Sequence, residues 1–167
     1  MIFVSTGTQF PFDRLMEMVD GVVAELSEEV VAQALPGKYT PRHFRQLNLI
    51  PAKEYDDYVK KSRLIVAHAG MGIIITAMRL NKPILVLPRL ARLGEHRNDH
   101  QVSTATHLEE LGYLTIIKDE DDLRHYLNDD SEVKRHLLSD AVQPEISSFI
   151  ADEISQTAAK KINRHKR

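Results

Sequence analysis

Val66-Ala-His-Ala-Gly-Met-Gly72 is the stretch whose reading decides the fold. Leading into it, Leu64-Ile-Val-Ala67 is apolar without alternation, the pattern of a strand buried on both faces. Beyond it, Gly72 to Leu80 reads as a helix and Ile84-Leu-Val-Leu87 as another buried strand. Strand, glycine turn, helix, strand is the βαβ unit of a parallel sheet, with the turn at the carboxyl end of its first strand. Open parallel sheets bind ligands outside those ends, and amides at a helix start accept anions. The stretch therefore predicts a phosphate-accepting crevice along with the fold.

The same alternation extends in both directions. Upstream, Ile2-Phe-Val-Ser5 is a short apolar strand ended by Thr6-Gly7-Thr8. From Pro11, the residues Phe12, Leu15, Met16, Val19, Val22, Val23 and Leu26 keep a helical period, with Pro11 as a tolerated first-turn proline. Val30 to Leu35 and Phe44 to Leu49 read as strands, and Lys53 to Ser62 as a short amphipathic helix. Downstream, Pro88 to Asn98 is a polar loop. Asp99 to Leu111 is a helix closed by Gly112 as a left-handed cap, and Leu114-Thr-Ile-Ile117 is a sixth strand. Asp119 to Asn128 and Ser131 to Asp140 read as short helices, and a last helix runs from about Pro144 to Ile162 into a basic tail. The expected fold class is α/β, a Rossmann-like doubly wound parallel sheet in one domain over residues 1–167.

Composition narrows the function classes. A chain of 167 residues suffices for one domain with a real core. Its formal net charge of −2 gives no global attraction to nucleic acid, and there is no basic patch with interleaved aromatics, so no nucleic-acid partner is expected. The absence of cysteine excludes disulfides and thiolate chemistry. No apolar run approaches the roughly 20 residues of a membrane-spanning helix, and the cytoplasm is the default reading, with membrane contact made through a partner.

Three clusters carry possible chemistry. Thr6-Gly-Thr-Gln-Phe10 follows the first strand; it is an anion-accepting turn or a plain strand-to-helix connection, and it lacks the dinucleotide fingerprint. His68-Ala69-Gly70-Met71-Gly72 places two glycines at a helix start, with a histidine at the strand end that either reaches the crevice or is a hydrogen-bonded structural residue. Arg89, Glu95, His96, Asp99, His100 and Gln101 gather after the fifth strand, with Asp99 a natural helix N-cap. A metal cluster is disfavoured there, because Asp99 and His100 would diverge by about 100° on a helix and no zinc-type histidine spacing occurs. A loop that hydrogen-bonds a sugar or ribose fits better.

Taken together, Val4 to Leu15, His68 to Gly72, Arg79-Leu-Asn-Lys-Pro83, Pro88-Arg89 and Gly94-Glu-His-Arg-Asn-Asp-His-Gln101 resemble the C-terminal, nucleotide-sugar-binding half of glycosyltransferase family 28, the MurG-like enzymes of GT-B fold. The resemblance is nearest to the small subunits of split transferases, the PssE-type exopolysaccharide proteins and the eukaryotic subunit that adds the second GlcNAc of a lipid-linked oligosaccharide. It implies a UDP-sugar donor and an inverting transfer without an essential metal or a separate cofactor. It places Gly7, Thr8 and Gln9 near the diphosphate or sugar, and puts the phosphates on the turn from His68 through Ala69, Gly70 and Met71 to Gly72. Arg89, Asp99, His100 and Gln101 lie near the donor. By the same resemblance His68, Glu95 and His100 are candidate catalytic groups, with Glu95 or His100 orienting the sugar.

Two departures qualify that picture. Thr76 stands where relatives carry a carboxylate for the ribose hydroxyls; losing a charge-assisted hydrogen bond of about 1.5–3 kcal/mol weakens donor binding roughly ten- to hundredfold. The length also leaves no room for an acceptor domain, so the resemblance implies a heterodimer: a membrane-anchored second polypeptide that brings the lipid-linked saccharide acceptor. The helix at about 144–162 is the candidate docking element, or packs back on the domain. The main rival is a non-catalytic regulatory or binding subunit that keeps the fold without productive donor binding, favoured by Thr76. A sugar-nucleotide epimerase is a second rival, disfavoured by length.

Overall fold

The computed structural model describes residues 1–135 and 137, and these fall in one compact unit, Met1–Leu137. Six strands form a single sheet: β1 (Ile2–Ser5), β2 (Val30–Gln33), β3 (Arg45–Leu47), β4 (Leu64–His68), β5 (Ile84–Leu87) and β6 (Thr115–Ile116). Their order is β3-β2-β1-β4-β5-β6, and every pairing is parallel. The helices are α1 (Asp13–Val23), α2 (Ala52–Lys61), α3 (Met71–Arg79), α4 (His100–Glu110) and α5 (Glu120–Asn128). The chain winds outward from β1 to β3, then returns to β4 on the other side of β1. That reversal is the switch point at which doubly wound sheets open a crevice.

Residue alternation along β1 sets the two layers. Ile2 and Val4 join Leu15, Val19 and Val22 of α1 and Leu123 and Leu127 of α5 in one apolar cluster. Phe3 points the other way and stacks on Tyr58 of α2 at 5.5 Å, with Tyr55 edge-on at 5.3 Å. All four residues of β5 and the first four of β4 are buried, as both-face coverage requires. Right-handed crossovers put helices on opposite faces when the winding direction changes, and this accounts for a sheet sandwiched between layers.

The sequence-based boundaries hold to within a few residues, with three informative differences. The first helix begins at Asp13 instead of Pro11, because Phe12 is held outside the helical conformation at φ −139° and ψ 69°, with its ring beneath a buried guanidinium. Asp99 sits at the N-cap position of α4 without making a side-chain cap; its carboxylate instead accepts from Ala91 N–H at 2.8 Å, across a 3-10 turn at Ala91–Leu93. The expected helix over 131–140 is replaced, in its described part, by a 3-10 turn at Asp130–Glu132. Val133 then turns into the core, and Lys134 N–H donates to Thr115 Oγ1 at 3.1 Å. By contrast, Asp119 caps α5 by accepting from Asp122 N–H, and Gly112 closes α4 at φ +80° as expected. The helix at about 144–162 and the basic tail lie outside the described residues.

The ends of the sheet are fastened differently. At the amino edge, Glu28 accepts a bidentate pair from Arg63 and the Met1 ammonium at 2.6 Å, and Arg63 also reaches Asp130. Along α1, two aspartates hold the β2–β3 connection. Asp13 accepts from the amides of Lys38 and Tyr39, and Gly37 is needed because a Cβ there would lie 1.9 Å from the Asp13 carboxylate. Asp20, only 2% exposed, accepts from Tyr39 OH and from the amides of Arg42 and His43. Burial alone would raise the Asp20 pKa, but these hydrogen bonds outweigh it and hold the pKa below the usual value.

Asp20→Ala leaves three donors without their partner, so a loss of about 2–4 kcal/mol in denaturant unfolding is expected. Because the folded pKa is depressed, this stabilisation is full above the unfolded pKa near 4 and disappears as pH falls through the folded value. Melting curves of the wild type and Asp20→Asn from pH 6 to pH 3 should therefore converge toward the acid end.

Candidate functional site

The switch point brings the carboxyl ends of β1 and β4 side by side, with Ser5 paired to Ala67. The histidine that ends β4 sits between the two glycine turns. Its Nδ1 lies 3.2 Å from the carbonyl oxygen of Ser5, which can only accept, so Nδ1 carries the hydrogen. Nε2 then faces the turns: a Cβ on Gly70 would lie 2.2 Å from it, and a Cβ on Gly7 would lie 2.7 Å away. Both glycines are therefore dictated by the imidazole, and Gly7 also adopts φ +78°, a conformation that side chains resist. Gly72 is different. Nothing approaches its Cβ position within 4 Å, so its backbone stands open to the crevice.

Burial pushes the His68 pKa down to about 4; the hydrogen bond to Ser5 opposes this, and the nearby positive groups Arg89 and His96 add to it. At neutral pH the ring is uncharged, with an Nε2 lone pair toward the crevice. In this state His68 offers a hydrogen to an anion in the crevice only if the ring takes up a proton.

Amides without protein acceptors line both turns. Among the described residues, none meets the N–H of Gly7, Thr8 or Gln9, nor of Met71, Gly72 or Ile73 at the start of α3. Unpaired N–H groups at a helix start, aligned with the helix dipole, favour anions. Thr6 Oγ1 is also buried without a partner, beside the first turn.

The polar loop after β5 is organised by two arginines. Arg89, 2% exposed, donates from Nη2 to the carbonyls of Thr6 and Phe10, each at 2.8 Å, and from Nη1 to those of Pro11 at 2.7 Å and Glu95 at 3.3 Å. Its guanidinium carbon lies 4.3 Å from the centre of the Phe12 ring. Desolvation lowers its pKa to about 10, so it stays charged at neutral pH. Arg14, which the sequence reading left out of the site, grips both oxygens of Glu95 at 2.7 and 2.8 Å and the carbonyl of Pro88. The signal for Arg14 was its place in the first turn of α1, at the same sheet edge.

The other expected site residues have protein partners of their own. Arg89 directs both of its Nη nitrogens at main-chain carbonyls. Glu95 is held by Arg14 and by Leu90 N–H, and although burial tends to raise its pKa, these partners keep it low and ionised. Gln101 accepts from Arg89 N–H at 3.2 Å. Asp99 is engaged with Ala91, and His100 opens α4 with its amide near Asn98 Oδ1. Thr76 Oγ1 donates to Gly72 O at 2.8 Å, one turn back in its own helix. Thr8 and Gln9 are exposed on the first turn, and Ala69 is buried beneath the second. A hollow of about 140 Å³ remains between Phe10, Gly94, Glu95, His96 and Arg97. Among the described residues no group of three histidine or acidic side chains stands close enough to hold a metal.

Strand order, paired glycine turns and the loop after β5 correspond to one known family. The family model for the glycosyltransferase family 28 C-terminal domain matches residues 1–158. The chain belongs to this family. Its fold is that of the C-terminal half of a GT-B glycosyltransferase. MurG of Acinetobacter baumannii superposes with a TM-score of 0.55 at 15% identity, over 76% of this chain and 40% of MurG. ALG13 superposes at 0.54 and 18% identity, over 80% of this chain and 87% of ALG13. A putative UDP-N-acetylglucosamine 2-epimerase from Listeria monocytogenes superposes at 0.55 and 16% identity, over 78% of this chain and 36% of the epimerase. The chain thus spans well under half of the two longer proteins. No curated protein sequence matches it.

If the two glycines exist for the imidazole, Gly70→Ala should destabilise by about 1–3 kcal/mol through overpacking. His68→Ala should relieve that cost: a double-mutant cycle read by chemical denaturation is expected to show coupling of the same order as the Gly70→Ala penalty.

Proposed function

We propose that the chain is the donor-binding half of a two-component inverting glycosyltransferase. It would move a hexosyl or N-acetylhexosaminyl group from a UDP-sugar to a lipid-linked acceptor held by a membrane-anchored partner. The observation that carries this reading is the pair of glycine turns packed against His68 at the switch point, whose amides meet no acceptor among the described residues. Donors fixed before the reaction are suited to stabilising the charge that grows on a departing nucleoside diphosphate, because they need no reorganisation.

Family membership supports the donor class, and size supports the division of labour. The 140 Å³ hollow is far below the several hundred Å³ typical of a pocket that encloses a ligand. An open edge of this kind needs a second wall, which the partner would supply together with the base that deprotonates the acceptor hydroxyl. Among the described residues no helix is long and apolar enough to cross a membrane, so attachment to the inner membrane face would run through that partner. Exopolysaccharide or capsule assembly is the setting we favour, from the resemblance to PssE-type subunits.

Within this chain the proposed roles are distinct. The amides of Gly7 to Gln9 and of Met71 to Ile73 receive the diphosphate. His68 protonates as the anion arrives, since a nearby negative charge raises its pKa, and Nε2–H then points at a phosphate oxygen. Arg14 and Glu95 fix the loop that faces the sugar. Thr76 favours a second reading, a subunit that keeps the fold and the partner surface without productive donor binding, because its hydroxyl is already directed at Gly72.

Thermal shift with UDP, ADP and GDP separates the two readings. A rise with UDP that is lost in Gly70→Asp supports the donor site, and no rise even in the co-purified complex supports the second reading. Thr76→Glu restores a carboxylate at the ribose position, and about a tenfold gain in UDP affinity by calorimetry is expected.

A pH series tests His68. A UDP-hexose carries no titrating phosphate proton near neutrality, so proton uptake on binding would come from the protein. Its affinity should rise as pH falls from 8 to 5.5, by at most about tenfold per unit, and the slope should vanish in His68→Asn. Equal slopes in the two proteins would exclude protonation of His68 on binding.

A further inference from the structure

The largest fully buried side chain of the described residues is a cation that touches no carboxylate. Arg89 reaches from the end of β5, past the end of β4, to the loop after β1. Three of its four acceptors, the carbonyls of Thr6, Phe10 and Pro11, belong to that one loop. Every described peptide is trans, so each carbonyl and the N–H that follows it point in opposite directions. Drawing the Thr6 carbonyl in toward Arg89 therefore turns the Gly7 N–H away from it. Pro11, which follows the inward Phe10 carbonyl, has no N–H to place. The Gly7 carbonyl is in turn approached by Gln33 Nε2 at 3.5 Å, which turns the Thr8 N–H away from β2.

We infer that Arg89 is a positioning residue for anion binding: by gathering the carbonyls of one loop it presents that loop's amides to the ligand without touching the ligand. The inference rests on the donor-site reading above and adds a residue that acts from beneath the site. A planar guanidinium is required. Two nitrogens serve four acceptors in one fork while the ring of Phe12 covers the face, and an ammonium has neither the reach nor the plane.

The test compares wild type, Arg89→Lys and Arg63→Gln. Arg63 lies at the opposite edge of the sheet, so its variant gauges what general destabilisation does. Two readouts are taken: the backbone amide signals of Gly7, Thr8 and Gln9 by NMR without ligand, and the Kd and stoichiometry for UDP by calorimetry. In Arg89→Lys the loop amides should shift, and Kd should weaken at least tenfold at unchanged stoichiometry. In Arg63→Gln the melting temperature should fall with Kd within twofold of wild type. A merely structural Arg89 would lower the melting temperature or the binding-competent fraction and leave Kd alone. Arg89→Lys with either Kd within twofold or unmoved loop amides overturns the inference. Should Arg89→Lys fail to fold, Phe12→Leu removes the ring beneath the guanidinium and is read in the same way, with at least a threefold weakening expected. A wild type that binds no UDP overturns the donor-site reading instead, and the loop amides of the variants then decide alone whether Arg89 shapes the loop.

Discussion

One buried charge constrains the whole carboxyl edge of the sheet. An ion taken out of water costs several kcal/mol unless its hydrogens are met, and the two Nη nitrogens of Arg89 meet carbonyls from both sides of the switch point. The consequences spread from there. Phe12 must leave the helix to cover the guanidinium, so α1 starts at Asp13. The loop before it must fold so that three carbonyls converge. Glu95 must stay close enough for its carbonyl to accept from Arg89, and the Arg14 fork on its carboxylate keeps it there. The uncompensated positive charge that remains helps to keep His68 neutral.

The parts of this arrangement that are local were legible in the sequence. Strands buried on both faces read as unbroken apolar runs, so β1, β4 and β5 stood out, and Gly7 and Gly70 announced turns at two of their ends. Gly112 announced a helix end by its own short-range chemistry. What could not be read were partners distant along the chain. Nothing in the neighbourhood of Arg89 reveals its carbonyl partners 78, 79 and 83 positions away. Asp99 had the right residue type and place for a cap, but Ala91 N–H competed successfully for its carboxylate. Over 131–135 the helical pattern lost to the burial of Val133 beside β6.

On the proposed reading, the anion end of the crevice owes its sign to dipoles. The chain carries a net charge of −2, so long-range attraction for a nucleoside diphosphate is absent, and the site must act at short range. Free amides at the start of α3 and on the first turn do this without a mobile charged side chain. Such donors lose little entropy on binding, because the fold has already fixed them. The glycines serve the same end twice: Gly7 and Gly70 make room for an imidazole that holds the two turns in register, and Gly72 leaves the backbone open to approach.

Constraint is uneven along the crevice. The His68 ring is held by the Ser5 carbonyl and hemmed in by Gly7 and Gly70, whereas Thr76 does what a threonine does in any helix and donates to the carbonyl four residues back. A carboxylate at that position would be too charged to rest against its own helix and would project outward; a threonine is not so compelled. The physical asymmetry follows the chemistry of a nucleoside diphosphate. On the proposed reading, its charged end, common to all such molecules, would be met by rigid backbone that supplies affinity. Its neutral end, which distinguishes one nucleotide from another, would be met by a side chain with an alternative partner. On the proposed reading, a chain built this way could lose discrimination at Thr76 while the anion site, held from beneath by Arg89, stayed intact.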